Sequence, residues 1–362
     1  MTISFLSGAY KNAGDFLIEK RAIAILNYVH KDIIVKRYLR SDLISKYDEI
    51  NRTDAIVIGG GPLYAHNIGS AIPLEICLKK ITKPIMIFGC GWYGTYGSHS
   101  LAANYKFTQK SFEFLKKVDT DGFGLGCRDI HTVNALKSNG FENVVMTGCP
   151  AWYNLAYIDE TKFRQGLSLT PNSIIISDPA LPQNYDKAVE LTEYIRERYP
   201  QASIKYALHR GMNLNDSSFQ RYYKSITNIA GVEICDISDS ADGFHLYDNC
   251  DLHIGFRVHA HIYNLSIRNK TILIEEDGRG AGVNETLGLL QIKAYSDQLM
   301  YELYGKISRR INAFSLDYNI LQEVATYLEL LDNTGNMYLE NAFRLQKAHF
   351  KTMCKFIEKL KY

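Results

Sequence analysis

The sequence lacks the features that mark several large classes of protein. In 362 residues, lysine and arginine total 41 against 39 for aspartate and glutamate, which leaves a net charge of +2. Because the charges nearly balance, the protein has no overall positive field that would attract a nucleic acid backbone, and we expect no nucleic acid partner. No apolar run reaches the roughly 18 residues that span a bilayer. A chain with 46% hydrophobic and 22% charged residues is neither collagen, a disordered tail nor a coiled coil.

Cysteine is present without the spacings that give it a structural role. The seven cysteines are odd in number, and no pair stands in a C-x-x-C arrangement. We therefore expect neither a disulfide framework nor a zinc knuckle, and a reducing cytoplasm is favoured. Residues 1–8 lack a basic segment followed by a long apolar stretch, so we expect no signal peptide. A cytoplasmic protein could still touch the inner face of the membrane.

Short apolar runs alternate with amphipathic stretches along most of the chain. This alternation predicts an α/β fold with parallel sheets covered on both faces. The alternation pauses near residues 148–150 and restarts at Ser173. We therefore expect a Rossmann-like domain over 1–150, a second one over 165–330, and a C-terminal helix over 331–362 that packs back on them. Two such domains place a cleft at the carboxyl ends of their strands.

Several local assignments follow from the same pattern. Asp15 is predicted to cap the first helix. Residues 68–79 are predicted to form one helix, and residues 122–125 a strand. A further helix is predicted to run from near Arg257 to about Arg268, and helical structure is expected from Asp297 onward.

Two glycine-rich segments follow apolar strands of the first predicted domain. At Gly59, Gly60 and Gly61, missing side chains would let backbone N–H groups approach a ligand, and a tight structural turn explains them equally well. They match neither G-x-G-x-x-G nor a P-loop. Gly91 and Trp92 lie where glycines alternate with aromatics, which suits a sugar face. Buried packing of Trp92 is the simpler alternative.

Cations and histidines recur at the predicted strand ends. They are Arg128, His209, Arg210, Arg257, His259 and Arg279. Arg128 would stand beside the N–H groups that open a helix, a natural anion site. The alternative for Arg128 is a surface ion pair with Asp129. The shared placement of the six residues predicts a cleft site for a small, multiply charged anion.

Three histidines follow one buried strand. On a helix, the side chains of His259 and His261 diverge by about 200°, and no ligand pattern such as H-E-x-x-H accompanies them. We therefore expect no metal. His259 and Arg257 fall in the first helical turn at the mouth of the cleft, and one of the other two, His261 or His253, is predicted to be a core residue.

At these residues the sequence resembles the polysaccharide pyruvyl transferase family. The elements that carry the resemblance, in order, are Asn12-x-Gly14-Asp15, Gly59-Gly60-Gly61, Arg128-Asp129, Arg257-x-His259-Ala260 and Glu285-Thr286-Leu287-Gly288-Leu289. Two positions depart from the family pattern. Val258 replaces the usual leucine, and Arg279 stands where many members carry a lysine. Arginine keeps the charge but loses the compact ammonium head, so the role of this position is open.

The resemblance implies a fold like that of the two-domain GT-B glycosyltransferases, with phosphoenolpyruvate as co-substrate and no cofactor. Pyruvate would be attached as a cyclic ketal across two hydroxyls of a sugar, in a capsular or exopolysaccharide or in its lipid-linked precursor. On this hypothesis His259 and Asp15 are catalytic. The donor would be bound by Arg128, Arg257, Val258, His209 and Arg279. The acceptor would be bound by Gly14, Gly59, Gly60, Gly61, Gly91 and Trp92.

Two rival functions fit the same predicted architecture. A GT-B glycosyltransferase that uses a nucleotide sugar would need a ribose-binding carboxylate in the second domain, for which Glu275, Glu276 and Asp277 are candidates. A sugar- or anion-binding protein without turnover would not need Arg257 and His259 together, yet both are present.

The final helix carries lysines at four-residue spacing. They are Lys347, Lys351, Lys355 and Lys359. This stripe is typical of the solvated face of a packed helix, and peripheral contact with an anionic membrane is the alternative.

Overall fold

Two parallel six-stranded sheets form the framework of the protein. The computed structural model describes residues 1–10, 12–92, 102–163, 170–294, 320–334 and 337–360. Every strand pairing in both sheets is parallel. The predicted fold class, two Rossmann-like parallel sheets with C-terminal helices, is confirmed.

The first sheet uses strands between residues 2 and 146. They are β1 (Thr2–Ser7), β2 (Ile34–Leu39), β3 (Ala55–Tyr64), β4 (Ile85–Trp92), β5 (Leu125–Cys127) and β6 (Val144–Met146). Their spatial order is β2-β1-β3-β4-β5-β6. The helices of this region are α1 (Ala13–Val29), α2 (Leu43–Ile50), α3 (Leu74–Lys79), α4 (Gln109–Thr120) and α5 (Ile130–Lys137).

The second sheet uses strands between residues 173 and 293. They are β7 (Ser173–Ser177), β8 (Ser203–Leu208), β9 (Val232–Asp236), β10 (Leu252–Gly255), β11 (Lys270–Glu275) and β12 (Ile292–Lys293). Their spatial order is β12-β11-β10-β7-β8-β9. The helices that follow in the chain are α6 (Tyr185–Arg198), α7 (Ser217–Thr227), α8 (Val258–Ser266), α9 (Gly278–Thr286), α10 (Ile320–Thr334) and α11 (Met337–Ile357).

The central strands are continuous apolar runs because helices cover both faces of each sheet. All eight residues of β4 are buried, and so are four of the five in β7. The order of the strands reverses between β1 and β3 in the first sheet and between β7 and β10 in the second. Ligands bind at such switch points in open parallel sheets.

The cap of α1 differs from the prediction. The helix begins at Ala13, and Asn12 caps it by accepting a hydrogen bond from the Gly14 N–H at 3.1 Å. An asparagine is a strong N-cap because its side-chain oxygen satisfies an otherwise unpaired N–H. Asp15 is therefore not the cap, and its carboxylate is left for the cleft.

The glycines at positions 59–61 also differ from the prediction. They lie inside β3, which continues to Tyr64, and do not form a strand-to-helix turn. Gly60 and Gly61 have φ values of 74° and 78°, which only glycine adopts readily. The strand therefore bends in its second half without ending.

Other boundaries shift for local reasons. Residues 68–79 form a short turn at Ile68–Ser70 and then α3, because a proline at position 73 disfavours helix in the residue before it. Gly122 and Gly124 have positive φ values of 90° and 80°, so the predicted strand begins at Leu125 and runs on to Cys127. The helix after β10 ends at Ser266, and residues 295–319, where helical structure was expected, lie outside the described residues.

The C-terminal helix packs against both sheets' domains. His30 Nε2, just after α1, lies 3.0 Å from the Ile357 carbonyl oxygen, and Arg268 Nη1 donates to Gln346 Oε1 at 3.1 Å. Lys347 pairs with Asp159, at 2.9 Å. Among the described residues, no helix has both the length and the apolar character of a membrane-crossing segment.

Candidate active site

A cavity open to solvent lies at the switch point of the second sheet. Its lining comes from the segments after β7, β8, β10 and β11, together with one residue of the first domain. The lining residues are Asn12, Ala180, His209, Arg210, Phe256, Arg257, Val258, His259, Glu276, Asp277 and Arg279. Five residues that were predicted from the sequence, four for donor binding and one for catalysis, therefore share one cavity. We call it the donor cavity.

A buried carboxylate holds Arg257 in one orientation. Its Nε and Nη2 donate to the two oxygens of Asp178 at 2.7 and 2.6 Å, and Nη2 also donates to the Pro179 carbonyl at 3.2 Å. Burial disfavours the charged guanidinium, but the Asp178 carboxylate outweighs burial and raises the pKa of Arg257. Arg257 is thus a fixed cation in the cavity wall.

His259 lies in the first turn of α8 and packs against the beginning of α1. A Cβ on Gly14 would stand 2.2 Å from Nδ1 of His259, so the imidazole occupies space that only glycine leaves open. Burial and then the charges of four surrounding arginines, Arg279 foremost, lower the pKa of His259 to about 3. The imidazole is therefore neutral near pH 7.

Arg128 comes from the first domain and is one of those four arginines. Its Nε donates to Asp129 at 2.9 Å, and the two side chains are only 6% and 0% exposed. The surface-pair alternative is therefore wrong. A Cβ on Gly91 would stand 2.2 Å from Arg128 Cζ, so Gly91 makes room for the guanidinium. Nη2 of Arg128 is buried without a hydrogen-bond partner among the described residues.

Two further arginines line the donor cavity. Arg279, in the first turn of α9, pairs with Asp277, with its Nη2 2.5 Å from Oδ2. Asp277 also caps α9 by accepting from the Arg279 N–H at 2.9 Å. Arg210 follows β8 and is exposed. The donor cavity thus combines the buried Arg257, the partly buried Arg279 and the exposed Arg210.

Of the other histidines named from the sequence, His253 and His261 are core residues, whereas His209 is buried in the wall of the donor cavity. His209 Nε2 lies 2.8 Å from the Tyr247 hydroxyl, and burial lowers the pKa of His209 well below its usual value. Both His253 and His261 contact the Thr271 hydroxyl, with Nδ1–Oγ1 distances of 2.7 and 2.9 Å. One of the pair was predicted to be a core residue, and the structure buries both. His209 lines the cavity as a neutral side chain.

A second cavity, also open to solvent, lies at the switch point of the first sheet. Its lining residues are Phe5, Ser7, Gly8, Asp15, Ile18, Glu19, Arg40, Gly59, Gly60, Gly61 and Pro62. We call it the first-domain cavity. Burial raises the pKa of Asp15, while Arg40, Arg279 and Arg210 act in the opposite direction. Asp15 lines this cavity, and the charges of two arginines of the donor cavity also act on its pKa.

The predicted acceptor residues fall into two groups. Gly59, Gly60 and Gly61 line the first-domain cavity, whereas Gly14 and Gly91 give space to His259 and Arg128. Trp92 is 1% exposed, and its ring stacks against His131 with centroids 6.0 Å apart. Its indole therefore belongs to the core and offers no face to a sugar.

The three carboxylates considered for ribose binding are already engaged. Glu275 is fully buried and accepts from Asn284 Nδ2 at 2.8 Å. Glu276 accepts hydrogen bonds from the backbone N–H groups of Ala180 and Leu181 at 2.8 and 3.0 Å. Asp277 is held by Arg279. Each carboxylate thus fixes the loops that build the donor cavity.

Sequence reasoning missed two residues that shape these cavities. Asp178 follows β7 directly, and its position at a strand end was the available signal. Arg40 follows β2 in the same way and donates to the Gly60 carbonyl at 3.2 Å. Neither belongs to a motif that the resemblance includes, so neither was singled out.

Solved structures with the same architecture place the fold among two-domain GT-B enzymes. A putative UDP-N-acetylglucosamine 2-epimerase from Listeria monocytogenes superposes with a TM-score of 0.55 at 8% identity, covering 95% of this chain and 90% of that one. The Neisseria meningitidis UDP-GlcNAc 2-epimerase bound to UDP-GlcNAc gives 0.51 at 12% identity, with 98% and 100% covered. Anabaena Alr3699/HepE in complex with UDP and glucose gives 0.50 at 11% identity, with 99% and 97% covered. These superpositions establish a shared fold and nothing beyond it.

The sequence defines the family within that architecture. A family model described as polysaccharide pyruvyl transferase matches residues 12–263, which include five strands of the first sheet and four of the second. The chain therefore belongs to the polysaccharide pyruvyl transferase family, and it is a transferase of polysaccharide modification. A search among curated proteins finds no significant match.

Proposed function

We propose that the protein transfers the pyruvate unit of phosphoenolpyruvate to two hydroxyls of a sugar as a cyclic ketal. The acceptor is a cell-surface polysaccharide or its lipid-linked precursor. The observation that carries the proposal is the convergence of Arg257, Arg128 and Arg279 on His259 at the switch point of the second sheet. Family membership supports the same reaction class.

The charge of the donor cavity suits phosphoenolpyruvate. This donor carries a phosphate and a carboxylate on one carbon, C2, and guanidinium groups bind both anions through charge-assisted hydrogen bonds. Arg257 would hold one anion from the second domain, and Arg128 the other from the first. The buried, unpartnered Nη2 of Arg128 is a donor that a ligand oxygen would satisfy.

Ketal formation requires defined proton movements. C3 of the donor gains a proton, so that C2 becomes electrophilic and bonds to the oxygen of one sugar hydroxyl. The C2–O bond to phosphate then breaks, and the oxygen of the second hydroxyl closes the ring. Of the two hydroxyl protons, one replaces the proton given to C3 and the other leaves with inorganic phosphate. The protein must therefore supply an acid and a base in one cleft.

His259 is our candidate for the acid. Its pKa of about 3 reflects burial and four nearby arginines. The negative charges of a bound donor would offset those arginines and raise the pKa of His259. The imidazole would then take up a proton as the donor binds and pass it to C3, from the position that the missing side chain of Gly14 leaves open to the ring.

Asp15 is our candidate for the base. Burial raises the pKa of its carboxyl group, which strengthens it as a proton acceptor. Asp15 lines the first-domain cavity and lies close enough to Arg279 and Arg210 of the donor cavity to be affected by their charges. It would accept the proton of the first sugar hydroxyl as that oxygen attacks C2.

The test is direct transfer to sugars with free hydroxyl pairs. The protein is incubated with phosphoenolpyruvate and a panel of methyl pyranosides and lipid-linked oligosaccharides, and products are analysed by mass spectrometry. We expect one phosphate released per sugar and a gain equal to phosphoenolpyruvic acid less phosphoric acid, about 70 Da. A gain of a hexose unit from a UDP-sugar, with none from phosphoenolpyruvate, would instead support a nucleotide-sugar transferase.

Variants test the residue assignments in the same assay. His259→Ala and Arg257→Ala should abolish transfer, whereas the exposed residues His245 and Arg198 provide matched controls as His245→Ala and Arg198→Ala. Wild-type turnover in either of the first two variants would overturn the assigned roles.

A further inference from the structure

Among the described residues, Arg40 is the one arginine that lines the first-domain cavity. The residue follows β2 and lies at the carboxyl end of the first sheet, beside Gly8 after β1 and Gly60 and Gly61 in β3. This is the switch point, where a ligand of the first domain would bind. The position of Arg40 therefore places a positive charge where we expect the acceptor.

The guanidinium of Arg40 is only partly satisfied. Nη2 donates to the Gly60 carbonyl at 3.2 Å, and Nη1 lies 3.5 Å from the Pro62 carbonyl. Its Nε is buried and has no hydrogen-bond partner in the described part of the chain. Unsatisfied buried donors are rare in native proteins and call for an explanation.

The charge of Arg40 also lacks a dedicated partner. The described residues include no carboxylate within ion-pair distance of Arg40. Glu19, which lines the same cavity, accepts hydrogen bonds from Arg37 and Ser7. Asp15 is a single carboxylate that faces Arg40 together with two arginines of the donor cavity. Glu19 is therefore engaged by other groups, and Asp15 is the carboxylate lining this cavity that is left to offset the charge of Arg40.

We propose that Arg40 binds an anionic oxygen group carried by the acceptor, either a carboxylate or a phosphate. This inference rests on the proposed function only in taking the first-domain cavity as the acceptor site. It makes Arg40 a specificity-determining residue, so that the protein prefers an acidic acceptor to the neutral sugar of the same shape. Charged hydrogen bonds of this kind change affinity by about tenfold or more.

The test is calorimetric titration of the full chain with three small sugars. Methyl glucoside is the neutral probe, methyl glucuronide carries a carboxylate, and glucose 1-phosphate carries a phosphate. All titrations are made without inorganic phosphate, which would compete with an anionic group at Arg40, and the Arg40 variants separate binding in this cavity from binding in the donor cavity. We expect at least one acidic probe to bind about tenfold more tightly than methyl glucoside, and the stronger of the two identifies the anion.

Three variants assign the preference to Arg40. Arg40→Gln should bind all three probes alike, whereas Arg40→Lys keeps the charge and should retain part of the preference. Arg52 lies just before β3, at the amino ends of the strands and away from the cavity. Arg52→Gln removes one exposed charge and should behave as wild type. Equal binding of the probes by the wild type would overturn the proposal. So would a preference that survives in Arg40→Gln, or one lost equally in Arg40→Lys.

These results do not depend on the identity of the donor. A separate titration with phosphoenolpyruvate, without inorganic phosphate, tests the proposed function. If phosphoenolpyruvate fails to bind while the acidic probes depend on Arg40, the proposed function fails and the assignment of Arg40 stands. If phosphoenolpyruvate binds while the binding of the acidic probes does not depend on Arg40, the assignment of Arg40 fails and the proposed function stands.

Discussion

The chemistry at the scale of single residues depends on close approach between the two domains. His259 belongs to α8 of the second domain, yet the space for its ring is provided by Gly14 in α1 of the first. The ring of His259 fits only because residue 14 has no side chain. The two motifs that carry them are therefore one structural unit, although 245 positions separate them in the sequence.

Gly14→Ala should remove activity without disturbing its helix. Alanine favours helix over glycine by roughly 1 kcal/mol, so α1 should persist. The new Cβ would meet Nδ1 of His259 at 2.2 Å and displace the ring, and a shift of about 1 Å costs on the order of 100-fold in rate. Steady-state turnover with phosphoenolpyruvate measures the effect.

The double variant shows whether Gly14 acts through His259. Adding Gly14→Ala to His259→Ala should cost little more than His259→Ala alone, because the two changes remove the same function. Additive losses would mean that Gly14 has a different role.

Asp178→Asn should weaken both folding and donor binding. Removing one partner of a buried ion pair costs about 3 kcal/mol or more, and Arg257 would lose the carboxylate that orients it. We expect a lower free energy of unfolding in urea and weaker binding of phosphoenolpyruvate. Asp48→Asn, at an exposed position of α2, is the control. An unchanged affinity in Asp178→Asn would contradict the orienting role.

The residues of the donor cavity could be predicted because each follows an apolar strand. That placement, with the family resemblance, selected Arg257, His259 and Arg279. Asp178 also follows an apolar strand, but its ion pair with Arg257, 79 positions away, could not be predicted because no local pattern links the two residues. Trp92 was misassigned as an acceptor residue because exposure is not encoded in the alternation of glycine and aromatic residues.

At the scale of elements, the junction between β11 and α9 organises one side of the donor cavity. Three consecutive carboxylates lie at the end of β11 and just after it, and each has a different partner. Glu275 accepts from Asn284, Glu276 from the loop after β7, and Asp277 from Arg279. Glu275 is the most deeply placed of them, and burial raises its pKa to about 8. It is therefore protonated in the folded protein at neutral pH.

Glu275 should make folding stability depend on pH. In the unfolded chain its pKa is near 4.5, so between about pH 5 and pH 8 the folded state holds a proton that the unfolded state releases. Its contribution to the free energy of unfolding therefore falls as pH rises, by at most about 1.4 kcal/mol per pH unit.

Glu275→Gln should flatten this dependence, because the amide stays neutral and can still accept from Asn284. Urea unfolding across the same pH range measures the slope. The exposed Glu193→Gln should retain the wild-type slope. Parallel curves for wild type and Glu275→Gln would contradict the assignment.

Most elements could be predicted because buried parallel strands are apolar throughout. The predicted strand at 173–177 agrees with β7. The misassigned elements involve glycine or proline, whose effects depend on backbone angles: positions 59–61 bend within β3, and position 73 delays α3. Asn12, and not Asp15, caps α1, since two polar residues three apart compete for that role.

At the scale of the whole molecule, the family motifs meet across the domain boundary. Thr286 Oγ1 in α9 accepts from the Ile130 N–H at 2.9 Å, and His131 Nε2 lies 2.7 Å from Glu285. A Cβ on Gly282 would stand 2.8 Å from Asp129. The motif at residues 285–289, between β11 and β12, therefore contacts α5, the helix that begins just after Arg128, a relation that sequence order alone could not reveal.

Arg21 is a second connection between the domains. Its guanidinium donates to the Ala151 carbonyl and to Ser266 Oγ, the latter at 2.7 Å, and lies 5.0 Å from the ring centre of Tyr263. Arg21→Met should lower the free energy of unfolding by about 2–3 kcal/mol, because hydrogen bonds from a buried charged group are lost.

The neighbouring Lys20 provides the control. Its ion pair with Asp242 also crosses between the domains, at 2.7 Å, but both side chains are exposed. Lys20→Met should change the free energy of unfolding by no more than about 1 kcal/mol. Equal effects of the two variants in urea unfolding would show that burial does not distinguish these connections.

Binding of phosphoenolpyruvate tests the central claim most directly. Calorimetric titrations of phosphoenolpyruvate and UDP are compared for the wild type and for Arg257→Ala. The account predicts that phosphoenolpyruvate binds more tightly than UDP, and that Arg257→Ala weakens it by about tenfold or more. Tighter binding of UDP, or phosphoenolpyruvate binding unaffected by Arg257→Ala, would contradict the assignment of this cavity to the pyruvyl donor.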